Sequence, residues 1–146
     1  MKTYRAYDRT FTFADMAQEW EKVPVEGAGG YVSASKMLAL PDEELVRIAA
    51  IAAENRYAED WRNPGGAWHR LLGHDTVREK HVLDFGCGFG LEALQFAPNG
   101  NRITLVDINE SSVRLAARMI GAHGFGAQVV ATSVSTDEPP YFEVQA

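Results

Sequence analysis

The run Asp84-Phe85-Gly86-Cys87-Gly88-Phe89-Gly90 constrains this chain more than any other stretch of it. It follows a short apolar segment, His81 to Phe85, with the character of a strand, and precedes Leu91 to Ala97, which has the spacing of a helix. Glycines at such a handover remove side chains that would hold the backbone away from a ligand, and they open turn geometries closed to other residues. The start of the following helix then offers free N–H groups to a carboxylate or phosphate. A strand that turns through bare backbone into a helix is the opening unit of an alternating α/β pattern.

The rest of the chain continues that pattern. Arg102 to Val106 reads as a second strand, Ser111 to Ile120 as a second helix closed by Gly121, and Ala127 to Thr132 as a third strand. Tyr141 to Gln145, entered through Pro139 and Pro140, is expected to form a fourth. The alternation predicts a parallel sheet with right-handed crossovers. Upstream, Pro41 and Asp42 start a helix that carries Glu43 and Glu44 in its first turn and Leu45, Ile48, Ala49 and Ala52 on one face. It is expected to run to Tyr57 or Glu59. Asn63, Pro64, Gly65 and Gly66 break the chain before a short helix over Ala67 to Leu72 that ends at Gly73. Phe11 to Trp20 has the spacing of a short amphipathic helix, and Val23 to Ser35 is punctuated by Pro24, Gly27, Gly29 and Gly30. The expected division is an arm or lid over 1–40, a helical segment packed on the core over 41–79, and a partial core over 80–146.

A second chemical signal sits at the end of the second strand. Asp107 falls 17 residues after Gly90 (107 − 90), near the offset at which dinucleotide folds place an acid on ribose hydroxyls. An ionised carboxylate accepts both hydrogen bonds of a ribose diol in one geometry. The glycine spacing disfavours NAD, because the third glycine is Gly90 where that fingerprint needs one at Leu91. A phosphate loop is disfavoured as well, since no Gly-Lys-Ser/Thr follows.

Taken together, VLDFGCGFG and LVDIN resemble motifs I and II of class I S-adenosylmethionine-dependent methyltransferases, over roughly residues 80–132. The resemblance implies a Rossmann-like α/β fold: a mostly parallel sheet with flanking helices, an incomplete core of about four strands, and a helical amino-terminal segment. It implies S-adenosylmethionine as cofactor, with Asp84, Gly86, Cys87, Gly88 and Gly90 around the methionine portion. Asp107 would hold the ribose hydroxyls and Ile108 would lie against adenine. Cys87 is then a small residue beside the ligand rather than a nucleophile. Family members often carry an acid after the third strand, whereas this chain has Ser133 and Val134, with Asp137 further on; Ser133 can still bond the adenine amine, and it reads equally as a solvated loop serine. Later strands of the family usually shape the acceptor pocket, and no general base can be named here. The expectation is a fragment, or a chain that pairs with a second copy through an exposed fourth-strand edge. Glu138, Pro139, Pro140 and Tyr141 are similar to the Asp/Asn-Pro-Pro-Tyr motif of amino-group methyltransferases, but glutamate and position both depart from it, and the prolines read as strand starters. Trp20 and Tyr31 are read either as ligand contacts or as packing.

Composition narrows the function classes. Hydrophobic residues at 46% and charged residues at 23% are ordinary for a globular domain, and 146 residues give room for one core. A net charge of −6 disfavours a nucleic-acid partner and favours a small-molecule methyl acceptor. No apolar run long enough for a bilayer and no secretory pattern is present in the sequence, so a cytoplasmic location is expected. Cys87 is the only cysteine, and His69, His74, His81 and His123 show no metal-ligand spacing. Two functions are carried forward: methyl transfer to a small acceptor, and a module that binds the cofactor or its demethylated product without transfer.

Overall fold

A computed structural model of the chain describes residues 3–6, 9–22, 25–27, 30–58 and 63–133. The expected fourth strand at Tyr141 to Gln145, and Val134, Asp137 and the Glu138 to Tyr141 motif, lie outside the described residues.

The amino-terminal segment folds as β1 (Thr3–Ala6) and β2 (Arg9–Thr12) in an antiparallel hairpin, α1 (Phe13–Lys22), then a second hairpin of β3 (Val25–Gly27) and β4 (Gly30–Val32). The sequence reading contained only the helix there, and started it at Phe11. The true start is set by Thr12 and Asp15: Thr12 donates to the Asp15 carboxylate from its N–H at 2.8 Å and its hydroxyl at 2.7 Å, and Asp15 N–H donates back to the Thr12 hydroxyl at 3.1 Å. That reciprocal cap stops β2 and begins α1.

A one-turn helix α2 (Ala34–Met37) leads to α3 (Asp42–Tyr57), whose buried residues are Leu45, Ile48, Ala49 and Ala52, the face read from the sequence. Asn63 joins α3 to α4 (Ala67–Leu72): its side chain donates to Tyr57 O at 2.9 Å and accepts from Trp68 N at 2.8 Å.

The α/β core consists of β5 (His81–Phe85), α5 (Leu91–Phe96), β6 (Arg102–Asp107), α6 (Glu110–Ala122) and β7 (Val129–Ser133). The sheet order is β5-β6-β7, all parallel, with Asp84 opposite Leu105 and Asp107 opposite Ser133. The third strand begins later than expected because Gly126–Gln128 first closes a 3-10 turn. The expected α/β class, with an incomplete Rossmann-like sheet and flanking helices, is therefore the fold found.

Strand order in sequence order has a consequence. Two right-handed crossovers that advance in the same direction put both helices on one face of the sheet. Ile103 and Leu105 point into that covered face and are 1% and 0% exposed, where they meet Leu94 of α5 and Val113, Ala116 and Met119 of α6. α3 packs outside α6, and Arg118 of α6 ties the α2–α3 turn down by donating to Leu38 O, Leu40 O and the Asp42 carboxylate. On the opposite face Leu83, Phe85 and Val130 remain exposed.

Candidate functional site

The carboxyl ends of the three strands meet at one edge of the sheet. Asp84 stands one residue before the end of β5, Asp107 ends β6, and Ser133, its register partner, ends β7. The glycine loop is pinned to the central strand: Gly86 N and Cys87 N both donate to Val106 O, at 2.8 and 3.1 Å, and Gly90 N closes the turn onto Cys87 O at 2.8 Å.

The three glycines do different work. Gly86 and Gly88 have φ of +76° and +52°, and a Cβ at either would meet nothing within 4 Å among the described residues. Gly90, at φ +82°, is buried, and a Cβ there would lie 2.7 Å from the Ala116 Cβ of α6. Its lack of a side chain lets the loop seat against the second crossover helix. That contact separates Gly90 from the other two glycines.

Asp107 is bound into the loop. Its Oδ2 accepts from Gly88 N at 2.9 Å and its Oδ1 from Asn109 N at 2.9 Å. Each carboxylate oxygen keeps a second lone pair for another donor. Ile108 is half-buried beside it. Asn109 is 4% exposed and serves two elements: its side-chain oxygen caps α6 by accepting from Ser112 N at 2.9 Å, and its amide donates to the Glu21 carboxylate of α1. Neither Asn109 nor Glu21 was singled out in the sequence. An Asn two residues before Ser111 was a legible cap signal, but the link to α1 spans 88 residues and no local pattern carries it.

Asp84 lies partly buried, and its Oδ2 has no hydrogen-bond partner among the described residues. Burial raises its carboxyl above the usual carboxylate range, the charges of Glu92 and Asp107 add to this, and the N–H of Ala93 opposes it. An acid whose folded pKa is raised stabilises the fold only at low pH, and that contribution is lost as pH rises through the folded value. At neutral pH the Asp84 charge is therefore a cost in the unliganded protein. Asp84→Asn keeps an oxygen for the Ala93 N–H and removes the charge. We expect it to raise the melting temperature of the unliganded protein by roughly 4 °C in a calorimetric scan, about 1 kcal/mol.

Cys87 is 8% exposed, and its thiol is pushed up to about 12 by burial first and then by the Asp107 and Asp84 charges. A thiol so protonated is a poor nucleophile. Native protein treated with iodoacetamide at neutral pH should keep an unmodified Cys87 by mass spectrometry, while urea-unfolded protein alkylates fully.

Behind the loop lies a cluster the sequence reading did not assemble. Glu92 of α5 accepts from Arg56 Nη1 at 2.6 Å and from the Tyr57 hydroxyl, and lies 3.6 Å from His74 Nε2. His74 is 2% exposed, and its Nδ1 sits 2.8 Å from the Nδ1 of His69. Burial lowers the His74 pKa, partly offset by Glu92. The two histidines meet because Gly73 turns the chain back after α4, which neither the composition nor the spacing announced.

A parallel sheet whose first loop is glycine-rich and whose second strand ends in an acid bonded to that loop is the arrangement of a Rossmann-like core. The sequence model of the methyltransferase small domain matches residues 69–143, and the chain belongs to that family, within the class I S-adenosylmethionine-dependent methyltransferases. It is similar to the ubiquinone biosynthesis O-methyltransferase of Coxiella burnetii (strain Dugway 5J108-111), 33% identical over 87 residues that cover 52% of this chain and 37% of that protein. The protein of the same name from strain RSA 493 / Nine Mile phase I is 34% identical over 85 residues, 51% of this chain and 34% of its own length. The chain thus spans about a third of the length of these relatives.

Proposed function

We propose that this chain binds S-adenosylmethionine at the carboxyl edge of its sheet and serves in methyl transfer to a small-molecule acceptor. The observation that carries the reading is the hydrogen bond from Gly88 N to Asp107 Oδ2, which joins the glycine loop to the strand-end acid across 19 residues. The residues present fit the cofactor: two glycines whose Cβ positions meet nothing among the described residues, an acid with unused lone pairs, and a buried Asp84 oxygen with no partner among those residues.

In this reading Asp84, Gly86, Cys87 and Gly88 surround the methionine portion, and Gly90 holds the loop on α6 so that they stay in place. Asp107 takes the ribose hydroxyls, Ile108 lies along the adenine, and Ser133 bonds the adenine amine. When bound, the cofactor supplies an electrophilic methyl on a sulfonium, so the chemistry asks the protein chiefly for alignment of the acceptor and exclusion of competitors. Loop and strand ends are fixed before the ligand arrives, which lowers the ordering cost of binding. The names of the Coxiella relatives support an oxygen atom as the acceptor. Net charge favours a small metabolite over nucleic acid. Among the described residues no helix is long and apolar enough to cross a membrane, and the reading places the protein in the cytoplasm. A second copy is proposed to pair with the edge of the expected fourth strand at Tyr141 to Gln145, which lies outside the described residues.

The test is titration calorimetry of the chain with S-adenosylmethionine, S-adenosylhomocysteine, NAD and ATP. Binding of the first two below about 100 μM, with none for the others, is the expected result. Absence of heat with both adenosyl ligands overturns the proposal. Binding without transfer of radiolabelled methyl to any extract component would favour the non-catalytic module instead.

A further inference from the structure

The cluster behind the glycine loop has a geometry that its packing role leaves unexplained. Two imidazole Nδ1 atoms 2.8 Å apart must share one proton, because each neutral ring carries one donor and one acceptor. If His74 gives its Nδ1 proton to His69, the His74 Nε2 lone pair faces the Glu92 carboxylate. If His69 gives the proton, His74 carries it on Nε2 and directs it at Glu92. The structure holds Nε2 between these cases, 3.6 Å from Glu92 Oε2 and without a hydrogen-bond partner among the described residues, inside a residue 2% exposed. The ring is clamped there by edge contacts with Tyr57 at 5.6 Å and Phe96 at 4.7 Å, while Tyr57 and His69 lie 4.5 Å apart.

Glu92 is the second residue of α5 and stands two residues after Gly90. Its anchors all come from outside the sheet: Arg56 and Tyr57 on α3, and His74 after α4. The next residue, Ala93, gives its N–H to Asp84. Glu92 is therefore the point where the upstream helices grip the turn that presents the loop.

We propose that Glu92 is a positioning residue for the glycine loop, and that the His69–His74 pair sets how firmly Arg56 and Tyr57 hold it, so that ligand affinity at the loop depends on the protonation of that pair. The inference rests on the adenosyl-binding reading above. A proton gained by the pair gives His74 an Nε2–H that competes with Tyr57 for Oε2. The grip of α3 on α5 then loosens, and the loop and the Ala93 bond to Asp84 loosen with it. The titratable groups that act on His74 are Glu92 on α5, His69 on α4 and Asp75 beside it in sequence; Arg56 and Tyr57 of α3 reach it through Glu92, and Asp84 of β5 lies next to Glu92. Burial favours the neutral His74 ring, so the loosening sets in as pH falls.

Two measurements on the full chain test this. Titration with S-adenosylhomocysteine from pH 8 to pH 5.5 should show affinity falling about fivefold in the wild type, and His74→Phe, which keeps the stack on Phe96, should flatten that slope. Glu92→Gln, which keeps one acceptor oxygen for Arg56 or Tyr57 and removes the charge that faces His74, should flatten it also, while Glu92→Ala lowers affinity at every pH. Amide hydrogen exchange over residues 86–93, corrected for intrinsic rates, should lose about fivefold protection over the same range in the wild type only. Ligand binding with a slope unchanged in both His74→Phe and Glu92→Gln overturns the inference, as does pH-independent exchange in the wild type. No ligand binding together with pH-dependent, His74-dependent exchange would overturn the adenosyl reading and leave the latch standing.

Discussion

Gly90→Val is expected to destabilise the protein by about 3 kcal/mol and to lower its melting temperature by roughly 10 °C. Two costs add. The residue sits at φ +82°, a conformation that β-branched side chains rarely adopt, and its Cβ would lie 2.7 Å from the Ala116 Cβ and 3.1 Å from the Ala116 Cα. Backbone cannot yield as the end of a flexible side chain can, so either the loop lifts off α6 or α6 moves off the sheet. Ala116 is itself 0% exposed and packed in the core, which closes the second route. Gly88→Ala is the control: it meets only the φ cost, about 1 kcal/mol, since nothing among the described residues lies near its Cβ. Urea denaturation of the two variants measures the difference. Equal losses would show that Gly90 is not wedged against α6.

Asp107→Ala is expected to weaken S-adenosylhomocysteine at least about 100-fold in calorimetry, which is about 2.7 kcal/mol. The carboxylate proposed to take the ribose hydroxyls would be gone, and the N–H groups of Gly88 and Asn109 would lose the acceptor that holds them at 2.9 Å. The loop would then have to be ordered by the ligand itself. Asp107→Asn separates the two effects, because its amide oxygen can still receive one of those N–H groups but its amide nitrogen cannot accept the other. An affinity between wild type and Asp107→Ala is expected. Full affinity in either variant would remove Asp107 from the site.

The amino-terminal segment shows where local reading fell short. Its first helix was displaced by two residues at the start because the reciprocal Thr12–Asp15 cap was read as part of the amphipathic run. The flanking hairpins have strands of three or four residues, too short for alternation to register against turn residues. In the core, by contrast, β5 matched the expected His81 to Phe85, and the α3 face matched residue for residue, because one covered face imposes a clean period on each.

The sequence by itself determined the alternating α/β order, the parallel sheet, and the pairing of a glycine turn with a strand-end acid, since each is written in residues close together along the chain. Tertiary structure alone decided which glycine seats on α6, that Asp107 bonds Gly88, and that Glu21 reaches Asn109. It also gathered Glu92 of α5, Tyr57 of α3 and His69 of α4 around the buried His74 that follows α4. These are contacts between segments far apart in sequence, set by which face of each helix the core covers, and no periodicity along one segment encodes the partner on another.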